Sequence, residues 1–244
     1  MRTIEMEFGD SSNYFVREAF NTLRTNILFS GKGVKVIVVT SCMAHEGKTT
    51  VSFEMSKSLA EANKKVLVID ADLRKSVTVS RYTKERGVCG LSQILSGQVS
   101  LEQAIYRTQI PGLDIVFAGP YPPNPAELVG CPVFKEMLDC VRDAYDYIII
   151  DSVPALVIAD AMITSRVADL SIYVVREGLL DRQQLPDINA LHAENKLNNM
   201  CIVLNAASES RQSYGYSYRY QYASGSDKNN HGWRKIFKAL GILK

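Results

Sequence analysis

The sequence predicts an α/β protein, with a mostly parallel central sheet and helices on both of its faces. Short runs rich in β-branched residues are apolar almost without interruption, the signature of strands buried on both sides. Those runs alternate with longer amphipathic stretches, which places a helix between most consecutive strands. In such a sheet ligands collect at the carboxyl ends of the strands, so the polar residues there carry the functional information.

In chain order, a helix is expected over Val16–Leu28 and a strand over Val34–Thr40, then a helix over Thr49–Ala62 and a strand over Val66–Asp70. Leu113–Ala118 reads as a strand, Ala126–Val141 as a helix, Tyr147–Asp151 as a strand and Asp160–Val167 as a helix. Leu170–Val175, Arg182–Lys196 and Cys201–Leu204 complete the series as strand, helix and strand. After Ala207 the alternation stops. Residues 208–230 are rich in Ser, Tyr, Gly and Asn with almost no aliphatic side chains, the composition of a flexible tail. Residues 231–244 follow as a basic amphipathic segment in which Trp233–Leu243 can form a short helix.

The strand Val34–Thr40 runs into Ser41-Cys42-Met43-Ala44-His45-Glu46-Gly47-Lys48-Thr49-Thr50, and a helix follows. Inward-pointing N–H groups, a helix N-terminus and a lysine ammonium are what a polyphosphate requires. This is a P-loop, with Glu46, Gly47, Lys48, Thr49 and Thr50 as the candidate nucleotide contacts and the Thr49 hydroxyl placed for Mg²⁺. The first glycine of the usual G-x-x-x-x-G-K-[ST] pattern is Cys42 here. Two further strands end in acid: Val66–Ile69 in Asp70-Ala71-Asp72, and Ile148–Ile150 in Asp151. A carboxylate after a buried strand faces the crevice, where it can hold Mg²⁺ directly or through water. The implied ligands are a nucleoside triphosphate and Mg²⁺, and the implied fold is that of the P-loop NTPases, a three-layer α/β sandwich.

Composition narrows the class. At 46% hydrophobic and 22% charged residues, the chain is an ordinary globular protein. No apolar run follows Met1 and none reaches a membrane-spanning length of about 18 residues, so a cytoplasmic protein is expected. The five cysteines (Cys42, Cys89, Cys131, Cys140 and Cys201) form no C-x-x-C, sit mostly in apolar company and read as buried reduced thiols. His192 and His231 have no spaced partners for zinc. From Ser208 onward seven Lys and Arg face two acids, a balance of +5, so the body carries +2 − 5 = −3. A slightly acidic body with a short basic tail gives nucleic-acid binding little support.

Taken together, these pieces resemble the bacterial tyrosine kinases of capsule and exopolysaccharide synthesis. The family's opening helix, E-[AS]-[YF]-R-x-L-R-T-N, is similar to Glu18-Ala19-Phe20-Asn21-Thr22-Leu23-Arg24-Thr25-Asn26. Its loop T-S-x-x-P-G-E-G-K-[ST] matches Thr40 to Thr49, with Ala44-His45 in place of Pro-Gly. Its acidic motifs look like Ile69-Asp70-Ala71-Asp72-Leu73-Arg74 and Ile149-Ile150-Asp151-Ser152-Val153-Pro154. Gly90-Leu91-Ser92, Leu95-Ser96-Gly97 and Gly119–Leu128 are similar as well. The resemblance implies that Lys48 neutralises the β- and γ-phosphates and that Thr49, Asp72 and Asp151 hold Mg²⁺. It makes Asp70 the candidate base for the tyrosine proton, although Asp70 and Asp72 can exchange roles.

It also implies that the tail tyrosines Tyr214, Tyr216, Tyr218, Tyr220 and Tyr222 are phosphoacceptors for neighbouring copies. Without the P-loop, the same segment would read as an aromatic low-complexity tail or a strand. Each phosphate brings about −1.5 to −2 charges, enough in total to reverse the tail's positive balance. Glu18 and Arg24 belong to the family's E-x-x-R-x-x-R assembly motif, whose middle arginine is Asn21 here. A homo-oligomer is expected, weakened by one charge pair. A transmembrane activator that recruits the kinase to the inner face of the membrane and a tyrosine phosphatase of the same pathway are the expected partners. The competing readings are a MinD/ParA-type ATPase switch, whose signature lysine position is Met43 here, and a non-catalytic ATP-binding regulator. His45 stands where a glycine would take a positive φ.

Overall fold

The computed structural model describes residues 2–8, 13–31, 33–156, 160–179, 184–194 and 196–207. Its strands are β1 (Arg2–Thr3), β2 (Val36–Ser41), β3 (Val66–Asp70), β4 (Tyr106–Arg107), β5 (Leu113–Val116), β6 (Tyr147–Asp151), β7 (Leu170–Arg176) and β8 (Met200–Asn205). They form one sheet in the order β1-β4-β5-β3-β6-β2-β7-β8. Every neighbouring pair is parallel except β4 with β5. All six predicted strands are present. The two additions, β1 and β4, are two residues long and lack any periodicity that a sequence reading could detect.

Alternation along the central strands feeds two separate cores. Val36, Val38, Leu67, Ile69, Ile148 and Ile150 face one side, where they meet Phe134, Met137 and Leu138. Ile37, Val39, Val66, Val68 and Ile149 face the other, against Val51, Phe53, Met55, Leu59 and Ile27. The first layer includes α7 (Pro132–Val141); the second includes α1 (Tyr14–Leu28) and α2 (Lys48–Glu61). Complete burial of such a side chain stabilises by about 1.5–3 kcal/mol, so the middle strands are the rigid base of the molecule. A third cluster sits beneath the residue 42–47 loop, where Cys42, Val153, Ala155 and Tyr173 meet Ile188 and Leu191 of α9 (Leu185–Ala193).

Local chemistry sets the helix limits. The Asn13 side chain accepts the N–H groups of Phe15 and Val16 at 3.0 and 3.4 Å, and α1 accordingly starts two residues before the expected Val16. The single helix expected over Ala126–Val141 is two, α6 (Pro125–Gly130) and α7. Pro132 is the cause: a proline forces the residue before it out of the helical region, and Cys131 is extended at φ −74°, ψ 152°. Three short helices, α3 (Thr78–Tyr82), α4 (Leu91–Leu95) and α5 (Leu101–Ala104), lie outside the expected series; each is too short to show a helical period in the sequence. The helix α8 spans Asp160–Ser165. All five thiols are free, although only Cys42 is buried. The tyrosines Tyr214–Tyr222 and the segment Trp233–Leu243 lie outside the described residues.

Candidate active site

The P-loop connects the end of β2 to the start of α2, and each of its turns has a local cause. Met43 N–H donates to the buried Glu46 carboxylate at 2.7 Å, folding the loop over its own side chain. Gly47 caps α2 at φ +90°, a left-handed conformation. A Cβ there would also lie 2.2 Å from Asn205 Nδ2, so a side chain would be strained by the backbone and would push the Asn205 amide from its place. Asn205 Nδ2 itself donates to the Glu46 carbonyl at 2.8 Å, and Arg176 donates to the His45 carbonyl at 3.2 Å. His45 adopts φ +68° with its side chain exposed. The loop therefore keeps a glycine-like conformation, at a strain of about 1–3 kcal/mol. Cys42 has no positive φ and buries its thiol in the cluster below, which explains why a glycine is not needed there.

No side chain caps the N-terminus of α2, and the first helical bond is Val51 N–H to the Gly47 carbonyl. The N–H groups of the preceding turn and the positive end of the helix dipole are left for an anion. Lys48 stands at the same point, its ammonium 3.3 Å from Asp72 Oδ2. Thr49 is buried beside Asp151, and its hydroxyl favours that carboxylate's charged form. The Thr50 side chain turns instead toward the Tyr82 hydroxyl, leaving its backbone N–H as its contribution to the loop.

Asp70 and Asp151 end adjacent strands in register and are both fully buried. Asp70 Oδ1 accepts the Asp72 N–H at 3.1 Å, and Ser76 donates to Asp70 Oδ2 at 2.5 Å. Asp72 Oδ1 accepts the N–H groups of Arg74 and Lys75 at 3.3 and 2.9 Å. Burial, followed by the neighbouring charge of Asp151, pushes the Asp70 carboxyl up to about 7, against a partial offset from the Ser76 and Thr78 hydroxyls. Burial raises Asp151 as well, opposed by Lys48, Thr49 and Ser52. For Lys48, burial works against the charged form, but Asp151 and Asp72 outweigh it and the ammonium is held more firmly than usual.

Three carboxylates thus share one lysine, a negative excess that a bound cation would relieve. The donors fit Mg²⁺, a hard ion that binds oxygen and takes one or two carboxylates together with phosphates. Thr49, Asp72 and Asp151 are the residues able to hold it. Among the described residues no cluster of three or more His, Cys, Asp or Glu side chains forms an all-protein metal cage.

The structure therefore gathers Lys48, Thr49, Asp70, Asp72 and Asp151 into one crevice and places Glu46 and Gly47 in its loop. It adds Ser52, whose hydroxyl donates to Asp151 at 3.2 Å, together with Ser76 and Asn205, residues that no motif singles out. Arg74, in the first of the two acidic motifs, forms a bidentate pair with Asp160 at 2.9 and 3.3 Å. Glu18 and Arg24 lie away from this crevice, on α1. Glu18 accepts from Asn21 at 3.0 Å, while Arg24 donates to the Ser58 carbonyl and hydroxyl at 2.9 and 3.0 Å and so ties α1 to α2.

A family model described as an AAA domain matches residues 34–185. Tyrosine-protein kinase CpsD of Streptococcus agalactiae is 37% identical over 198 residues, which cover 81% of this chain and 85% of that protein. Among solved structures, the kinase domain of Escherichia coli tyrosine kinase ETK aligns with a TM-score of 0.68 and 29% identity, over 79% of this chain and 77% of that one. The septum site-determining protein MinD of Pyrococcus horikoshii, solved with Mg-ADP, aligns at 0.57 and 24% identity, over 73% and 72% of the two chains. That likeness is one of fold alone.

Proposed function

The chain belongs to the bacterial tyrosine-protein kinase family, and from that premise we propose that it transfers the γ-phosphoryl group of ATP to the C-terminal tyrosines of a neighbouring copy. Tyr214, Tyr216, Tyr218, Tyr220 and Tyr222 are the acceptors in this reading. The observation that carries it is the convergence of Asp70, Asp72 and Asp151 on Lys48 at the open N-terminus of α2. Lys48 and the first-turn N–H groups bind and orient the β- and γ-phosphates. Thr49, Asp72 and Asp151 hold Mg²⁺, which when bound neutralises charge on the transferring phosphoryl group. Asp70 accepts the phenolic proton, and its raised affinity for a proton suits that task near neutral pH. Its neighbour Asp72 is engaged with Lys48 and is the poorer candidate.

In this reading the protein regulates capsular or exopolysaccharide synthesis and export. A transmembrane activator of the co-polymerase type recruits it from the cytoplasm to the inner face of the membrane, and a tyrosine phosphatase resets it. Among the described residues no helix is long and apolar enough to cross a membrane. Glu18 and Arg24 contribute to a homo-oligomer, with Arg24 shared between that interface and its contact to Ser58. The site of a MinD-type switch differs at Met43, an exposed methionine where that group has a lysine.

The test is incubation of the full chain with ATP, Mg²⁺ and the activator's cytoplasmic segment, followed by anti-phosphotyrosine blotting and mapping of the modified residues. Wild type should label its tail, and Lys48→Met should lose at least about 10²-fold of the signal. Equal labelling of the two would defeat the proposal.

A further inference from the structure

The buried base oxygen of the site is already in use. Asp70 is fully buried, and its Oδ1 is taken by the Asp72 N–H at 3.1 Å. Its Oδ2 receives the hydroxyl of Ser76 at 2.5 Å. Ser76 Oγ in turn accepts the Thr78 N–H at 3.2 Å, which tethers it at the entrance of α3. Ser76 is exposed while Asp70 is not. Because Asp70 is buried and Ser76 is exposed, a group that is to give its proton to Oδ2 from the solvent side meets a protein hydroxyl that already holds one of that oxygen's acceptor positions.

We infer that Ser76 is a specificity-determining positioning residue: its hydroxyl holds the acceptor's seat against water and yields it to a tyrosine. The inference rests on Asp70 being the base. Two reactions compete for that base. In transfer, the phenolic oxygen bonds to the γ-phosphorus, the bond from that phosphorus to the ADP oxygen breaks, and the phenolic proton goes to Asp70. In hydrolysis a water oxygen attacks, the same bond breaks, the water proton goes to Asp70, and ADP and inorganic phosphate leave. Electrostatics at the phosphates cannot separate these routes, so the choice is made where the acceptor binds. A serine hydroxyl donates about as well as water and is pre-placed by its tether, so water gains little by displacing it. A phenol, with a pKa near 10, is a stronger donor to a carboxylate and can take its place.

The full chain, with Mg²⁺ and ATP, can be assayed for inorganic phosphate released without added acceptor and for phosphotyrosine formed on its own tail and on an added tyrosine-containing copolymer. Ser76→Ala should raise the ratio of hydrolysis to transfer about tenfold, and Ser76→Thr should keep it near wild type. A Ser76→Ala ratio equal to wild type, with both rates unchanged or both reduced alike, would overturn the inference. So would recovery of phosphate on Ser76 itself, which would make that residue an acceptor. Asp70→Asn tells this apart from failure of the underlying reading: if it retains both activities, Asp70 is not the base, whatever Ser76 does.

Discussion

The two ends of the sheet treat the same side chain in opposite ways. At the amino end, Asp169 precedes β7 and accepts the N–H groups of Lys35 and Val36 at 2.9 and 2.8 Å, while Arg142 reaches both of its oxygens at 2.7 and 2.8 Å. Burial there works against the charge, but Arg142 and the two N–H groups outweigh it and hold the carboxyl below its ordinary range. At the carboxyl end, Asp70 and Asp151 are buried beside each other and driven upward. Asp169 stabilises the fold; Asp70 and Asp151 cost stability in the absence of what they bind. A satisfied carboxylate marks structure, and an under-compensated one marks a site prepared for a cation or a proton.

Substitution of each aspartate sharpens that contrast. Asp70→Asn should lower tyrosine phosphorylation by about 10²–10⁴-fold and yet stabilise the ligand-free protein by about 1–2 kcal/mol. Kinase assay and denaturant titration on one preparation test both, and a destabilised variant would show that the buried Asp70 carboxyl does not cost the ligand-free fold stability. Asp169→Asn should do the reverse, losing about 1–2 kcal/mol because the ion pair is partly solvated, with activity per folded molecule unchanged. The smallest effect is the pH dependence of stability. Folded Asp70 keeps its proton up to about 7, whereas the unfolded chain releases it near 4. Its contribution therefore falls as pH rises through that window. The stabilisation from Asp169 is present above the ordinary carboxylate range and is lost as pH falls through its depressed value. Melting temperatures across pH should show the neutral limb flattened by Asp70→Asn and the acid limb flattened by Asp169→Asn.

What the sequence made legible was whatever is local. Continuous apolar runs announced the buried parallel strands, and strand–loop–helix order announced the P-loop despite Cys42. The positive φ of His45 was readable from the position alone. The break at Pro132 was local too, but the amphipathic pattern runs across it and conceals it. The unreadable parts are contacts between distant positions. Asn205 meets the loop across 159 residues, and no motif marks an asparagine at the end of an edge strand. Ser76 is an ordinary polar loop residue until the fold sets it on Asp70. Arg24 reads as an assembly residue, but part of its guanidinium is spent on Ser58, a contact that only the packing of α1 on α2 reveals.

The clasp of Asn205 on the Glu46 carbonyl carries a consequence for biosynthesis. The nucleotide loop leaves the ribosome well before β8, but one of the side chains that fasten it belongs to the last residue of the last described strand. A growing chain therefore displays Lys48 long before it can secure the loop around a polyphosphate. A chain that stops short of β8 lacks this fastening, although it already carries Arg176 and the Glu46 contact within the loop.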